Sequence, residues 1–192
     1  SSSVYGRVKF LPMRESQRCA PFSPYGVTKL AAEHLCHLYH DNYGVPVVSL
    51  RYFTVYGPRQ RPDMAFHKFI ESALAQRPIR IFGDGSQSRD FTYIDDIVSA
   101  NISAAMRGKS GAVYNLGGGS RILLRDALKI LERQVGQKLN LKFETKALGD
   151  VDRTGADTHL AKADLRFKPG TALADGLAAQ VAWHRRMHGE GI

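Results

Sequence analysis

The chain has 192 residues, 43% of them hydrophobic, enough to bury a core and to exclude a disordered segment. Lysine and arginine number 27 against 18 acidic residues, a net charge of +9. The basic residues are dispersed, with no reader helix or zinc motif, so an anion-binding pocket is expected rather than a nucleic-acid interface.

Residues 1–6 read as the end of a strand and residues 7–22 as a polar, proline-punctuated loop. Ser23 and Pro24 then mark a helix start. Val27, Leu30, Ala31, Leu35 and Leu38 recur at helical spacing up to Gly44. Residues 45–52 are a largely apolar, β-branched run without alternation, the pattern of a buried parallel strand. Tyr56-Gly57-Pro58 is a turn. A helix is predicted over 65–76, a strand over 79–82, a glycine-rich loop over 83–86 and a strand over 91–94. The helix over 94–107 carries Asp95 and Asp96 in its first turn, where the dipole favours them. A strand over 113–116 closes in the turn Gly117-Gly118-Gly119. A helix over 123–135, a strand over 139–143 and helices over 158–165 and 173–186 complete the chain. Strands alternate with helices, so the class is α/β.

Cys19 and Cys36 form no convincing staple, no signal peptide is read, and the apolar runs are strand-length. A reducing, cytoplasmic setting without membrane contact is expected. The seven histidines are scattered, none judged to stand in register with a second ligand, and no metal site is expected.

The chemistry concentrates in a few runs. Ser1-Ser2-Ser3-Val4-Tyr5-Gly6 precedes Ser23-Pro24-Tyr25-Gly26-Val27-Thr28-Lys29. Tyr25 and Lys29 are four apart and share a helix face. A tyrosine acts as a base only as its phenolate, and a neighbouring ammonium favours that form. A serine hydroxyl from the first three residues would hydrogen-bond the same substrate oxygen. Alone, Tyr-x-x-x-Lys is as consistent with an ordinary exposed pair; the serine cluster and the Ser-Pro start argue for a hydride-transfer site. The run from Leu50 to Ala65 begins at a strand end, where ligands of parallel sheets sit, and carries Arg59 and Arg61 in its loop. The run from Ile81 to Asp96 offers glycines for close backbone approach and Arg89 for a diphosphate.

Together these runs, with Tyr114-Asn115-Leu116-Gly117-Gly118-Gly119 and Gly149-Asp150-Val151-Asp152-Arg153-Thr154-Gly155-Ala156-Asp157, resemble the extended short-chain dehydrogenases/reductases that act on nucleotide sugars. The likeness is nearest to the NAD-dependent UDP-glucose and UDP-glucuronate 4-epimerases. It implies an α/β chain forming the C-terminal part of an extended Rossmann enzyme, without the N-terminal dinucleotide-binding half. Residues 1–57 would be the remnant of the NAD-binding domain. Residues 58–192 would form the nucleotide-sugar lobe, with segments near 92–117 returning to the sheet. The resemblance implies Ser1, Tyr25 and Lys29 as catalytic, and Tyr25, Lys29 and Phe53 beside NAD. Thr54, Arg61, Phe82, Arg89 and Asp150 would face the UDP-sugar. It also implies a homodimer through the Tyr25 helix. Alone the chain is expected to be inactive and to bind NAD weakly. A 4,6-dehydratase or decarboxylase of the same family, or a non-catalytic nucleotide-sugar-binding module, are the alternatives.

Thr54 stands where many relatives have Asn, and such a Thr is frequent in uronate epimerases. Asp152 replaces a common Arg, Gly155 a common Trp and Ala147 a phosphate-binding Arg of some relatives, each change removing charge or packing near the diphosphate.

Overall fold

The computed structural model describes residues 1–8, 10–145 and 151–189. In chain order its elements are α1 (Pro24–Tyr43), β1 (Ser49–Tyr52), β2 (Val55–Tyr56), α2 (Ala65–Leu74), β3 (Ile79–Phe82), β4 (Ser88–Tyr93), α3 (Ile94–Arg107), β5 (Val113–Leu116), β6 (Ser120–Leu123), α4 (Leu124–Val135), β7 (Leu141–Glu144), α5 (His159–Leu165) and α6 (Leu173–Met187).

The first residues form a 3-10 turn, Ser2–Val4, not the expected strand end. Ser1 Oγ accepts the Ser3 N–H at 3.3 Å, so a side chain satisfies a donor that a strand would have given to its neighbour. The loop that follows is pinned at Met13, whose N–H reaches the Gly155 carbonyl at 2.7 Å and whose carbonyl accepts from Asp157 at 2.8 Å.

Helix α1 begins and ends where its caps predict. Ser23 Oγ accepts the Gly26 N–H at 3.1 Å, Pro24 takes the first turn, and Gly44 closes the helix with φ 64°. Its faces differ from the prediction. The apolar stripe of Val27, Leu35 and Leu38 is exposed, and the inward contact is made by Gly26, Leu30 and Glu33. A polar tether from Glu33 to β1 sets that orientation.

β1 and β5 pair in parallel, from Ser49 opposite Val113 to Tyr52 opposite Leu116. The strand expected over 45–52 starts only at Ser49. Pro46 has no N–H to donate, and the Val47 carbonyl accepts from Gly111 at 2.7 Å. Ile97, Ala100 and Ala104 of α3 join Ala161 and Leu165 of α5 in a core with Tyr114 and Leu116 of β5. β4 pairs in parallel with β2 and antiparallel with β6, two strands that the sequence does not predict. β3 and β7 form a parallel pair. Helices α2, α4 and α6 pack with them in the larger core, where Tyr56, Phe66, Ile70, Leu128, Leu131 and Leu177 are all buried. A third core under the N-terminus holds Val4, Tyr5, Met13 and Phe53.

Candidate active site

Tyr25 lies in the first turn of α1 with half its surface exposed, and the Lys29 ammonium sits 5.4 Å from its ring centre. Phenol and amine therefore share one face, as the spacing predicted. Gly26 sets their place beside the serine turn. A Cβ there would come 2.6 Å from the Ser3 carbonyl oxygen, closer than atoms can approach, so only glycine lets the helix start lie against residues 1–3. Ser1 is half-buried and caps the turn, while Ser2, Ser3, Gly6, Phe22 and Ser23 line a small cleft. Among the described residues Lys29 makes no ion pair.

Thr54 follows β1 at the carboxyl end of the parallel pair, and the N–H of Thr92 donates to its carbonyl at 3.0 Å. Its side chain borders both the serine-lined cleft and a second cleft of about 600 Å³. That volume is in the range of a drug-sized ligand site. The larger cleft is walled by Phe69, Phe82, Phe91 and Leu124, with Asp63, Lys68, Arg80 and Arg89 as its charged groups. Arg89 also borders both clefts, and its guanidinium donates to the carbonyls of Ser88 (3.0 Å) and Asp152 (3.3 Å). Phe82 is nearly half exposed at the rim, with the Arg80 guanidinium 5.7 Å from its ring centre.

Two expected site residues stand differently. Phe53 is fully buried among Val4, Tyr5 and Met13, so its ring supports the site from below. Arg61 is exposed and its fork is held by Asp63, at 2.6 and 2.8 Å. That pairing, with a smaller contribution from Tyr25, raises the Arg61 pKa above its ordinary value. Asp150 and Ala147 lie outside the described residues.

Sequence reasoning missed a buried polar network beneath the serine turn. Arg51 makes two hydrogen bonds to Glu33, at 2.9 and 2.6 Å, and one to the Tyr5 hydroxyl at 2.8 Å. Tyr5 donates to Asn115 Oδ1 at 2.7 Å, and Asn115 Nδ2 donates to the Met13 carbonyl at 2.9 Å. Burial works against a charged Glu33, but the Arg51 bonds and charge hold its carboxyl below the usual range. Burial raises the Tyr5 phenol despite the same arginine. The network joins residues 1–6, α1, β1 and β5. Its only sequence signal was an arginine inside an apolar strand.

Asp90 was missed in the same way. Its two oxygens accept from the N–H groups of Gly119 (3.0 Å) and Ala156 (2.9 Å), fixing the triglycine turn and the 151–157 segment against β4. Burial pushes its carboxyl up, against those backbone bonds.

A serine turn, a Tyr-x-x-x-Lys helix and a cleft beyond the carboxyl end of a parallel strand pair belong together in one class. The family described as NAD dependent epimerase/dehydratase matches residues 1–117, and the chain belongs to that family. It is 47% identical over 186 residues to an uncharacterized UDP-glucose epimerase, YtcB, of Bacillus subtilis, covering 95% of this chain and 58% of the relative. It is 43% identical to a UDP-glucuronate 4-epimerase of Thermodesulfobacterium geofontis, covering 96% of this chain and 57% of that one. The fold matches that of a Bacillus cereus UDP-glucuronic acid 4-epimerase, solved with UDP-glucuronic acid and NAD, at a TM-score of 0.94. Identity there is 44%, covering 97% of this chain and 60% of that one. The chain thus spans a little under three fifths of the curated relatives' length, and its α/β fold corresponds to the C-terminal portion of the extended enzymes.

Proposed function

We propose that this chain carries the proton-transfer and nucleotide-sugar-binding part of a UDP-sugar 4-epimerase, with UDP-glucuronate as the favoured substrate. The observation that carries the reading is the position of Thr54, where the serine-lined cleft beside the Tyr25 helix meets the larger cleft. A sugar at that junction has its reacting hydroxyl near Tyr25 and its nucleotide among Phe69, Phe82 and Phe91.

The residues present fit a nicotinamide dinucleotide, since Lys29 is an exposed amine beside the phenol, placed to hold ribose hydroxyls. NAD, when bound, supplies the hydride acceptor and donor at sugar C4. Tyr25 takes the proton of the 4-hydroxyl and returns it. A serine hydroxyl of residues 1–3 orients that oxygen, and Ser1 is the one the resemblance implies. Lys29 stabilises the phenolate by its charge. Arg89 and Lys68 place positive charge at the diphosphate, and Arg61 exchanges Asp63 for the uronate carboxylate. Residues 1–57 belong with the NAD-binding domain and residues 58–192 with the sugar lobe, the segments near 92–117 returning to the sheet. The second copy packs on the outward face of α1.

The test uses a full-length enzyme containing this chain and a dinucleotide-binding half. Tyr25→Phe is expected to lower kcat by about 10²–10⁴-fold, the usual share of a general base, with UDP binding by calorimetry unchanged. Turnover within a few-fold of the parent overturns the assignment of Tyr25. Arg61→Ala is expected to raise KM for UDP-glucuronate more than for UDP-glucose.

A further inference from the structure

Away from the two clefts, α2 and the end of α6 bring three histidines and a glutamate together. His67 and Glu71 stand one turn apart on α2, and His184 and His188 one turn apart at the end of α6. Both pairs are at i, i+4 spacing, so the expectation that no histidine stands in register with a second ligand is corrected. What the sequence hides is the juxtaposition, which joins positions more than a hundred residues apart. Glu71 Oε1 lies 2.8 Å from His184 Nδ1, 2.8 Å from His188 Nε2 and 4.0 Å from His67 Nε2.

We propose that this cluster is a binding site for a divalent transition-metal ion of the zinc type, held by His67, Glu71 and His184 with His188 as the fourth ligand. Three imidazoles and one carboxylate are a donor set suited to zinc rather than to magnesium or calcium. The ligand atoms of His67, Glu71 and His184 all lie within 4.8 Å of one another. Ligand atoms on a tetrahedral zinc ion, with bonds of about 2.0–2.2 Å, stand about 3.3 Å apart. The separations from Glu71, 2.8 and 4.0 Å, bracket that value, and the two histidines, within 4.8 Å of each other, close further on the ion.

The second shell is already in place for His67. His67 Nδ1 is 2.9 Å from the Gln60 carbonyl, which as an acceptor fixes the tautomer that leaves the Nε2 lone pair towards Glu71. Gln60 is itself held, its side-chain oxygen accepting from the His67 backbone at 2.9 Å and from Gln180 at 3.0 Å. His184 is fully buried between the rings of His67 and Trp183, and its Nε2 has no hydrogen-bond partner. Among the described residues Glu71 is its one hydrogen-bond partner, and a buried imidazole nitrogen left unpaired is costly. Glu71 and His188 keep part of their surface in solvent, which gives an ion its path in. The bound ion ties α2 to α6 and, through Gln60 and Gln180, to the turn after β2.

The test titrates the metal-free chain with Zn²⁺ against a chromophoric chelator and follows the thermal midpoint. One equivalent bound at submicromolar Kd, with a raised midpoint, is expected, together with the visible bands of four-coordinate Co²⁺ when cobalt replaces zinc. His188→Gln and His67→Gln should each weaken Zn²⁺ at least about tenfold. His159→Gln, an exposed histidine on α5, should leave it unchanged. His188 is nearly half exposed, so its variant keeps the fold and remains a fair test if His67→Gln does not. Only millimolar Zn²⁺ binding, or equal loss in His188→Gln and His159→Gln, overturns the proposal.

Discussion

The Arg51–Glu33 pair decides how far the serine turn can be trusted to stay in place. Their side chains keep only 5% and 10% of their surface, so neither charge has water to fall back on. Glu33→Gln leaves a guanidinium buried without its counter-charge and is expected to cost about 3–5 kcal/mol in urea unfolding. The double change Arg51→Met with Glu33→Leu removes both charges and should restore much of that loss. The pH dependence has a fixed sign. The native pKa of Glu33 is depressed, so its contribution is full above the ordinary glutamate value of 4.5 and is lost as pH falls through the lower native value. The stability gap between the parent and Glu33→Gln should therefore be widest near neutral pH and narrow in acid. A gap that is constant with pH assigns the effect to packing instead.

At the scale of elements, α6 lies close against Tyr56. A Cβ on Gly176 would come 2.3 Å from the Tyr56 hydroxyl and 2.7 Å from two ring carbons. Gly176→Ala improves helix propensity by about 1 kcal/mol. It must also displace a buried ring packed against Phe66, Phe91 and Tyr93. Overpacking of this kind costs about 1–3 kcal/mol, so a lower thermal midpoint is expected, partly recovered by adding Tyr56→Phe. A higher midpoint shows that propensity outweighs the clash.

Elements with local signals were the legible ones. α1 announced both ends through Ser23-Pro24 and Gly44, and β3, α3 and β5 fall where their apolar runs and turns place them. β2 and β6 were not legible, because β2 is two residues long and β6 exists only by pairing with Ser88–Phe91 of a distant segment. The same division holds at the site. Tyr25 and Lys29 were marked by their spacing, Arg89 by the glycine-rich loop before it and Thr54 by the family resemblance. Asp90 and the Tyr5–Arg51–Glu33 network were not, because each works through partners far along the chain. Periodicity also cannot say which apolar stripe faces inward, and for α1 the stripe with the better pattern faces out.

That outward stripe governs the behaviour of the whole molecule. Val27, Leu35 and Leu38 lie on one face of α1, each with two fifths or more of its surface exposed, and Tyr39 and Tyr43 extend the patch. A helix of 20 residues is about 30 Å long, so a second copy laid against it would cover a face of useful size. Leaving such a patch in water forgoes about 25 cal/mol for each Å² that pairing would bury. The net charge of +9 opposes association, but it is spread over the chain, and salt screens it. The chain should therefore sediment as a dimer at micromolar concentration, more completely as ionic strength rises. Leu35→Lys with Leu38→Lys should return it to a monomer without loss of helix, because neither side chain is needed by the cores. A parent chain that stays monomeric across that salt range, or a double variant that still pairs, removes α1 as the contact and leaves the stripe to a different partner.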